Sequence, residues 1–266
     1  MTNELPRTLD FCDRTADPDD VLVLLHGTGG TALSHFGPAI SHLRAHYRII
    51  APDLTLGGLG SDAPNAVAAL CDQAESALPE LSGRGRRTLV GYSLGAVVAA
   101  SLAARQPETW THLVLIAGWS VTSAQQRLRQ QLQLRLAERD PTAYRQLIAL
   151  MAFGAPFLAA RTDAEVAEIV AAAEVSPTAR EDAMINSWID ISNDLDRIRA
   201  STLVIACTHD AMVPPAHAHE LHDAIRGSTL VELAAGHAVL LEAPDRLADE
   251  IVRFHTEPRG GSPRGA

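Results

Sequence analysis

The chain has 266 residues, 47% of them apolar and 20% charged, which suits a soluble globular protein with room for one large α/β domain and an inserted subdomain. Its formal net charge of −10 at pH 7 argues against nucleic-acid and anionic-membrane partners, both of which need basic patches. The three cysteines, Cys12, Cys71 and Cys207, lie far apart with no C-x-x-C spacing, so neither a disulfide framework nor a cysteine zinc site is suggested, and reduced thiols in a cytoplasm are the simplest account.

Met1 to Arg14 contains no basic segment followed by an apolar run, so no secretory signal is expected, and Thr8–Arg14 reads as an antiparallel edge strand. No apolar stretch reaches the roughly 18 residues of a membrane helix. Val21–Leu25 is the first unbroken apolar run, a pattern that suits a strand covered on both faces. It leads into His26-Gly27-Thr28-Gly29-Gly30, where glycines let the backbone curl and aim an N–H, that of Thr28, at a substrate oxygen. A phosphate-binding loop does not fit. The G-x-G-x-x-G register fails at Ala32, and the lysine of G-x-x-x-x-G-K-[ST] is absent, since all 22 cationic residues are arginine. His26 reads as a structural hydrogen-bonding residue. A helix is expected over Gly37–Ala45, a strand over Tyr47–Ala51, a glycine-bearing loop after Asp53, a helix over Asn65–Leu78 and a strand over Thr88–Val90.

That strand ends in Gly91-Tyr92-Ser93-Leu94-Gly95 and opens into an apolar helix, Leu94–Arg105. A serine thrust out on a sharp strand-to-helix turn needs glycines beside it so that neighbouring backbone can pass. The helix start then aims free N–H groups, Leu94 first, at charge that develops there. Leu113–Ala117 is the next strand, after which the alternation stops. Residues 119–199 read as helical throughout, with Leu128, Leu132 and Leu136 as one apolar stripe, Leu147, Ile148 and Met151 further on, Val166, Ile169 and Val170 as another face, and a break at Gly154-Ala155-Pro156. This insertion is expected to cap the carboxyl edge of the sheet, where ligand crevices lie. Trp119, Met151, Phe153 and Phe157 read equally as pocket lining for an apolar small molecule or as core of the cap.

The alternation resumes with a strand at Thr202–Ala206, a helix at Pro215–Ile225, a strand at Thr229–Leu233 and a helix at Asp245–His255; residues 258–266 are expected to be disordered. Asp210 follows one of these strands and His237 the other. A serine hydroxyl needs a base, and the base needs an orienting carboxylate. The chain order Ser93, Asp210, His237 supplies them in the sequence that a G-x-S-x-G turn leads one to expect. His209, beside Asp210, is poorly placed to meet both partners. His217, His219 and His222 fall in a helix pattern and read as surface residues.

Strand–helix alternation of this kind gives a doubly wound, mostly parallel α/β sheet, with the core formed by 1–118 and 200–257 and the cap by 119–199. The chain resembles the α/β-hydrolase superfamily through Leu25-His26-Gly27-Thr28-Gly29-Gly30, Ala51-Pro52-Asp53-Leu54, Gly91-Tyr92-Ser93-Leu94-Gly95, Thr208-His209-Asp210-Ala211-Met212-Val213-Pro214 and Gly236-His237-Ala238. It looks most like the small, capped, bacterial esterase and lactonase-like members. The resemblance implies Ser93 as nucleophile, Asp210 as acid, His237 as base, the Thr28 and Leu94 amides as oxyanion donors, and no metal or organic cofactor. It implies a hydrolase of an ester, thioester or lactone of a small, largely apolar molecule. The alternative is a lyase or eliminating enzyme of natural-product biosynthesis with the same three residues. Here the loop after Asp53 lacks the usual Pro-Gly-x-Gly-x-Ser form, and Ala238-Val239 after the histidine is expected to leave a roomy, apolar site. The expected assembly is a cytoplasmic monomer or homodimer whose partner is its small-molecule substrate, not nucleic acid or membrane.

Overall fold

The computed structural model describes residues 7–12, 17–59, 63–79 and 85–256. The tail 258–266 and part of the Thr8–Arg14 segment lie outside the described residues. Strands β1 (Thr8–Phe11), β2 (Asp17–Leu25), β3 (Tyr47–Pro52), β4 (Arg87–Tyr92), β5 (His112–Ile116), β6 (Ser201–Cys207) and β7 (Thr229–Leu233) form one sheet in the order β1-β3-β2-β4-β5-β6-β7. Only β1 is antiparallel to its neighbour, as its edge position allows. The central strands are apolar on both faces because both are covered. One core cluster joins Val23, Leu25, Leu89, Leu115 and Val204 to a helix, α3 (Leu94–Arg105); the other joins Leu22, Leu24, Val90, Val114 and Ile205 to helices α1 (Ala32–Leu43) and α11 (Pro244–Thr256).

Helix α1 begins five residues before the expected Gly37. Thr31 Oγ1 accepts the N–H of Ser34, Ser34 Oγ accepts the N–H of Thr31, and Asp53 Oδ1 accepts the N–H of Ala32 at 2.7 Å. A reciprocal cap plus a carboxylate at the positive helix end nucleates the helix there, and Pro38 is carried inside it. Helices α2 (Ala63–Ser76) and α9 (Ala216–Ala224) differ from expectation by one or two residues, and a short helix, α10 (Val239–Glu242), precedes α11.

Between β5 and β6 lie helices α4 (Ala124–Arg139), α5 (Pro141–Ala152), α6 (Ala155–Ala159), α7 (Asp163–Ala172) and α8 (Ala179–Ser187) and a 3₁₀ turn, Ser192–Arg197. A lone antiparallel bridge, Val121 to Asp190, ties the two ends of this insertion together. The stripe expected to bury α4 does not do so. Leu128 is 69% exposed and Leu132 45%, whereas Gln126, Gln130 and Gln133 are buried. The helix turns its polar face inward because what lies inward is a cavity and not an apolar core. His217 also departs from expectation: it is buried and pairs with Glu220 at 3.1 Å.

Candidate active site

The loops after β2, β4, β6 and β7 leave the sheet at the same, carboxyl, edge, and they bring together residues far apart in the chain. Ser93 follows β4 with φ 55° and ψ −121°, a conformation that non-glycine residues seldom adopt. Its peptide is tied in place. Its N–H donates to Ile116 O at 2.9 Å, and its carbonyl accepts the N–H of Ala96 at 2.9 Å. Flanking glycines make the turn sterically feasible. A Cβ at Gly91 would overlap the Gly95 carbonyl, and a Cβ at Gly95 would overlap the Leu25 carbonyl.

His237, in the loop after β7, places Nε2 3.0 Å from Ser93 Oγ and Nδ1 2.7 Å from Asp210 Oδ2. A carboxylate only accepts, so Nδ1 carries the ring proton and donates it; Nε2 is then the acceptor for the Ser93 hydroxyl. The other oxygen, Asp210 Oδ1, accepts the N–H groups of Met212 and Val213, both at 2.8 Å. All three side chains are buried. Tyr92 OH donates to the His237 carbonyl at 3.0 Å, and burial pushes this phenol well above its usual pKa, so it stays a donor. His209, the rival, is exposed, and among the described residues its one bond is through the backbone, its N–H donating to Ala235 O.

The turn after β2 is held by two histidines. His26 Nδ1 donates to Gly27 O at 2.8 Å while Nε2 accepts the Leu54 N–H at 2.8 Å, the structural part expected of it. His35, at the edge of the site on α1, accepts the Gly27 N–H on Nδ1 at 3.1 Å and packs edge-on against Tyr92. Burial lowers the pKa of both, that of His35 to about 3, so both rings are neutral. This bracing presents Thr28 to the cavity beside Ser93. Leu94 buries its side chain in the core, and its amide opens α3, where a helix has no internal acceptor for an N–H.

The site opens into a cavity of about 450 Å³. Of the residues expected in its wall, Trp119 and Phe153 line it. Met151, Phe157 and Val239 are not among the lining residues. Helix α5 turns Tyr144, Ile148, Ala149 and Ala152 to the cavity, the i, i+4 and i+3 positions of one face, which leaves Met151 on the flank. Phe157 stacks on Phe153 and is covered by the Arg161 guanidinium. Val239 is fully buried against the sheet in the second core cluster, so the small residue after His237 that faces the site is Ala238. Polar residues complete the wall. Asn186 Nδ2 donates to Thr28 Oγ1 at 3.0 Å and to Asp182 O at 2.8 Å, leaving its Oδ1 buried without a partner.

A second device lies behind the histidine. The Glu242 carboxylate accepts the N–H of Gly236, next to His237, at 3.0 Å and that of Gly154, between α5 and α6, at 2.8 Å; the Ala238 N–H donates to Ala152 O at 2.7 Å. The loop carrying His237 and the insertion are thus clasped at one point. Sequence reasoning passed over Tyr92, His35, Arg129, Asn186 and Glu242. The buried polar face of α4 was the one available signal, readable only once the leucines are known to face outward.

Residues 22–250 match the family model described as the alpha/beta hydrolase family. A pyrrolizixenacetamide deacetylase from Xenorhabdus hominickii is 31% identical over 231 residues, covering 84% of this chain and 86% of that protein. Among solved structures, the enol-lactonase from Burkholderia xenovorans LB400 superposes with a TM-score of 0.76 at 21% identity, covering 94% of this chain and 96% of that one. MGS-M2, an alpha/beta hydrolase enzyme from a Medee basin deep-sea metagenome library, gives 0.76 at 19% identity over 99% of both chains. At those identities the two structures speak to the fold. The sheet order, the strained serine turn and the match over 22–250 together make this chain a member of the alpha/beta hydrolase family.

Proposed function

We propose that the chain is a serine hydrolase that cleaves an ester, thioester or lactone of a small molecule through an acyl-enzyme, with Ser93 as nucleophile, His237 as base and Asp210 as orienting acid. One observation carries the reading: Ser93 Oγ, His237 and Asp210 form an unbroken hydrogen-bonded line at the cavity floor, 3.0 Å and 2.7 Å long. The deacetylase relative supports acyl transfer to water as the general reaction.

In this reading Ser93 Oγ adds to the substrate carbonyl carbon as its proton passes to His237 Nε2. The negative charge that collects on the carbonyl oxygen is met by the N–H groups of Thr28 and Leu94. Asp210 stabilises the imidazolium, held in register by the Met212 and Val213 amides. The proton then goes to the leaving group as its bond to carbon breaks. A water gives its proton to His237 and adds to the acyl carbon, and return of that proton to Ser93 Oγ releases the acid. Residues 119–199 act as the cap on a core of 1–118 and 200–257, since α4, α5, α7 and α8 all contribute to the cavity wall.

The test is a fluorophosphonate probe with mapping of the adduct, combined with turnover in ¹⁸O water. The reading predicts a single adduct at Ser93 and label in the released acid. An unlabelled product, or turnover surviving in Ser93→Ala, would overturn it.

A further inference from the structure

Arg129 stands in the cavity wall as a cation that no carboxylate meets in a direct ion pair among the described residues, Asp210 acting on it only at longer range. It lines the same cavity as Ser93 and His237. Its Nη1 donates to Gln133 Oε1 at 2.7 Å, a neutral acceptor, and its buried Nε has no partner among the described residues. Burial lowers its pKa to about 10, opposed by Asp210 and Tyr144, and the group is still charged at neutral pH. A desolvated charge left unpaired destabilises the empty protein, and an anion that enters removes the penalty. The other residues at that wall, Gln130, Gln133, Tyr144 and Asn186, are neutral and rich in donors. Two carboxylates also border the cavity. Asp182 accepts from Thr178 Oγ1 at 3.0 Å, and its burial raises its pKa; Glu174 sits on the exposed rim. Neither forms an ion pair with Arg129 among the described residues.

We propose that Arg129 is the docking group for a carboxylate on the substrate, so that the enzyme takes an ester, thioester or lactone bearing a carboxylate at the end remote from the scissile carbonyl. A planar fork of N–H donors matches a planar carboxylate, and a single guanidinium among neutral amides matches a monoanion. The choice of bond rests on the hydrolase reading above; the anion site does not.

Matched esters test it. The monomethyl esters of succinate, glutarate and adipate are compared with methyl butanoate, pentanoate and hexanoate, which carry a methyl group where the first set carries a carboxylate; acid release is titrated. The expected result is a kcat/KM at least about tenfold higher for one or more of the carboxylate-ended esters. Arg129→Met should abolish that ratio, mainly through KM, and Arg129→Lys should keep part of it, in protein shown to melt cooperatively. Equal rates for the two sets in the native enzyme, or an unchanged ratio in folded Arg129→Met, overturn the proposal. If Arg129→Met does not fold, the native ratio and Arg129→Lys decide. Calorimetry of the same monoesters on Ser93→Ala reads the site without catalysis. Binding that weakens about tenfold in Ser93→Ala/Arg129→Met supports the anion site even if no ester is turned over, whereas turnover of neutral esters with no Arg129-dependent binding sinks the site and leaves the hydrolase reading standing.

Discussion

Ser93 occupies a backbone well that costs on the order of 1–3 kcal/mol, and two peptide hydrogen bonds and the close pass of β2 hold it there. The strain lifts the hydroxyl off the sheet edge toward His237. Gly95→Ala drives a methyl group into the Leu25 carbonyl and is expected to lower stability by about 3 kcal/mol or more, read as a shift in urea midpoint. Ser93→Ala leaves the backbone free to keep or relax its turn and should cut turnover by about 10⁴-fold or more with little change in melting temperature, measured on whichever ester the native enzyme hydrolyses. Ser93, Asp210 and His237 were legible in the sequence because each sits at a fixed place after a strand, and the spacing of strands is written in apolar runs. Arg129 and Asn186 were not. Their meaning depends on what stands opposite them across empty space, and no periodicity records that.

Helix α4 shows how an apolar stripe can face outward. Its leucines recur every four residues, and that pattern ordinarily marks the buried side. Here Gln126, Gln130 and Gln133 repeat on the opposite side and are the ones shielded from solvent. Gln126 also completes the helix cap, its Oε1 accepting the Ser123 N–H at 2.8 Å. The clasp at Glu242 acts at the same scale, joining α5, α6 and α10 to the loop that carries His237. Glu242→Ala leaves two partly buried N–H groups without an acceptor and is expected to cost about 1.5–3 kcal/mol in thermal stability. Hydrogen exchange at Gly154 and Gly236 should rise in the same variant while exchange in β4 and β5 stays unchanged; equal protection at Gly154 would show that the clasp holds nothing.

At the scale of the whole molecule, the mostly parallel sheet followed from alternation of strands and helices, and the helical stretch between β5 and β6 from its interruption, whereas the strand order was not written in the sequence. Helix limits were less legible, as the early start of α1 shows, because a Thr-Ser cap assisted by Asp53, 21 residues away, is a tertiary event. Folding also buries three neutral histidines, His26, His35 and His255, whose pKa values are lowered first of all by burial. In the unfolded chain each takes up a proton near pH 6.5. The unfolded state therefore binds more protons below that point. Their contribution to stability is complete above about pH 6.5, is lost as pH falls through it, and levels off only below the folded values, about 3 for His35. The melting temperature should drop steadily from pH 7 to pH 5, and His35→Asn, whose amide oxygen can still accept the Gly27 N–H, should shrink that drop.

Among the described residues no helix is long and apolar enough to cross a membrane. The chamber beside Ser93 is walled largely by the protein's own helices, and one carboxylate fastens that wall to the peptide beside His237. A guest too bulky for the chamber would have to lift that wall, and in doing so would pull His237 out of line with Ser93. Discrimination by size would then register as slowed turnover and not as weakened capture, so oversized compounds would behave as inhibitors that occupy the chamber without being processed.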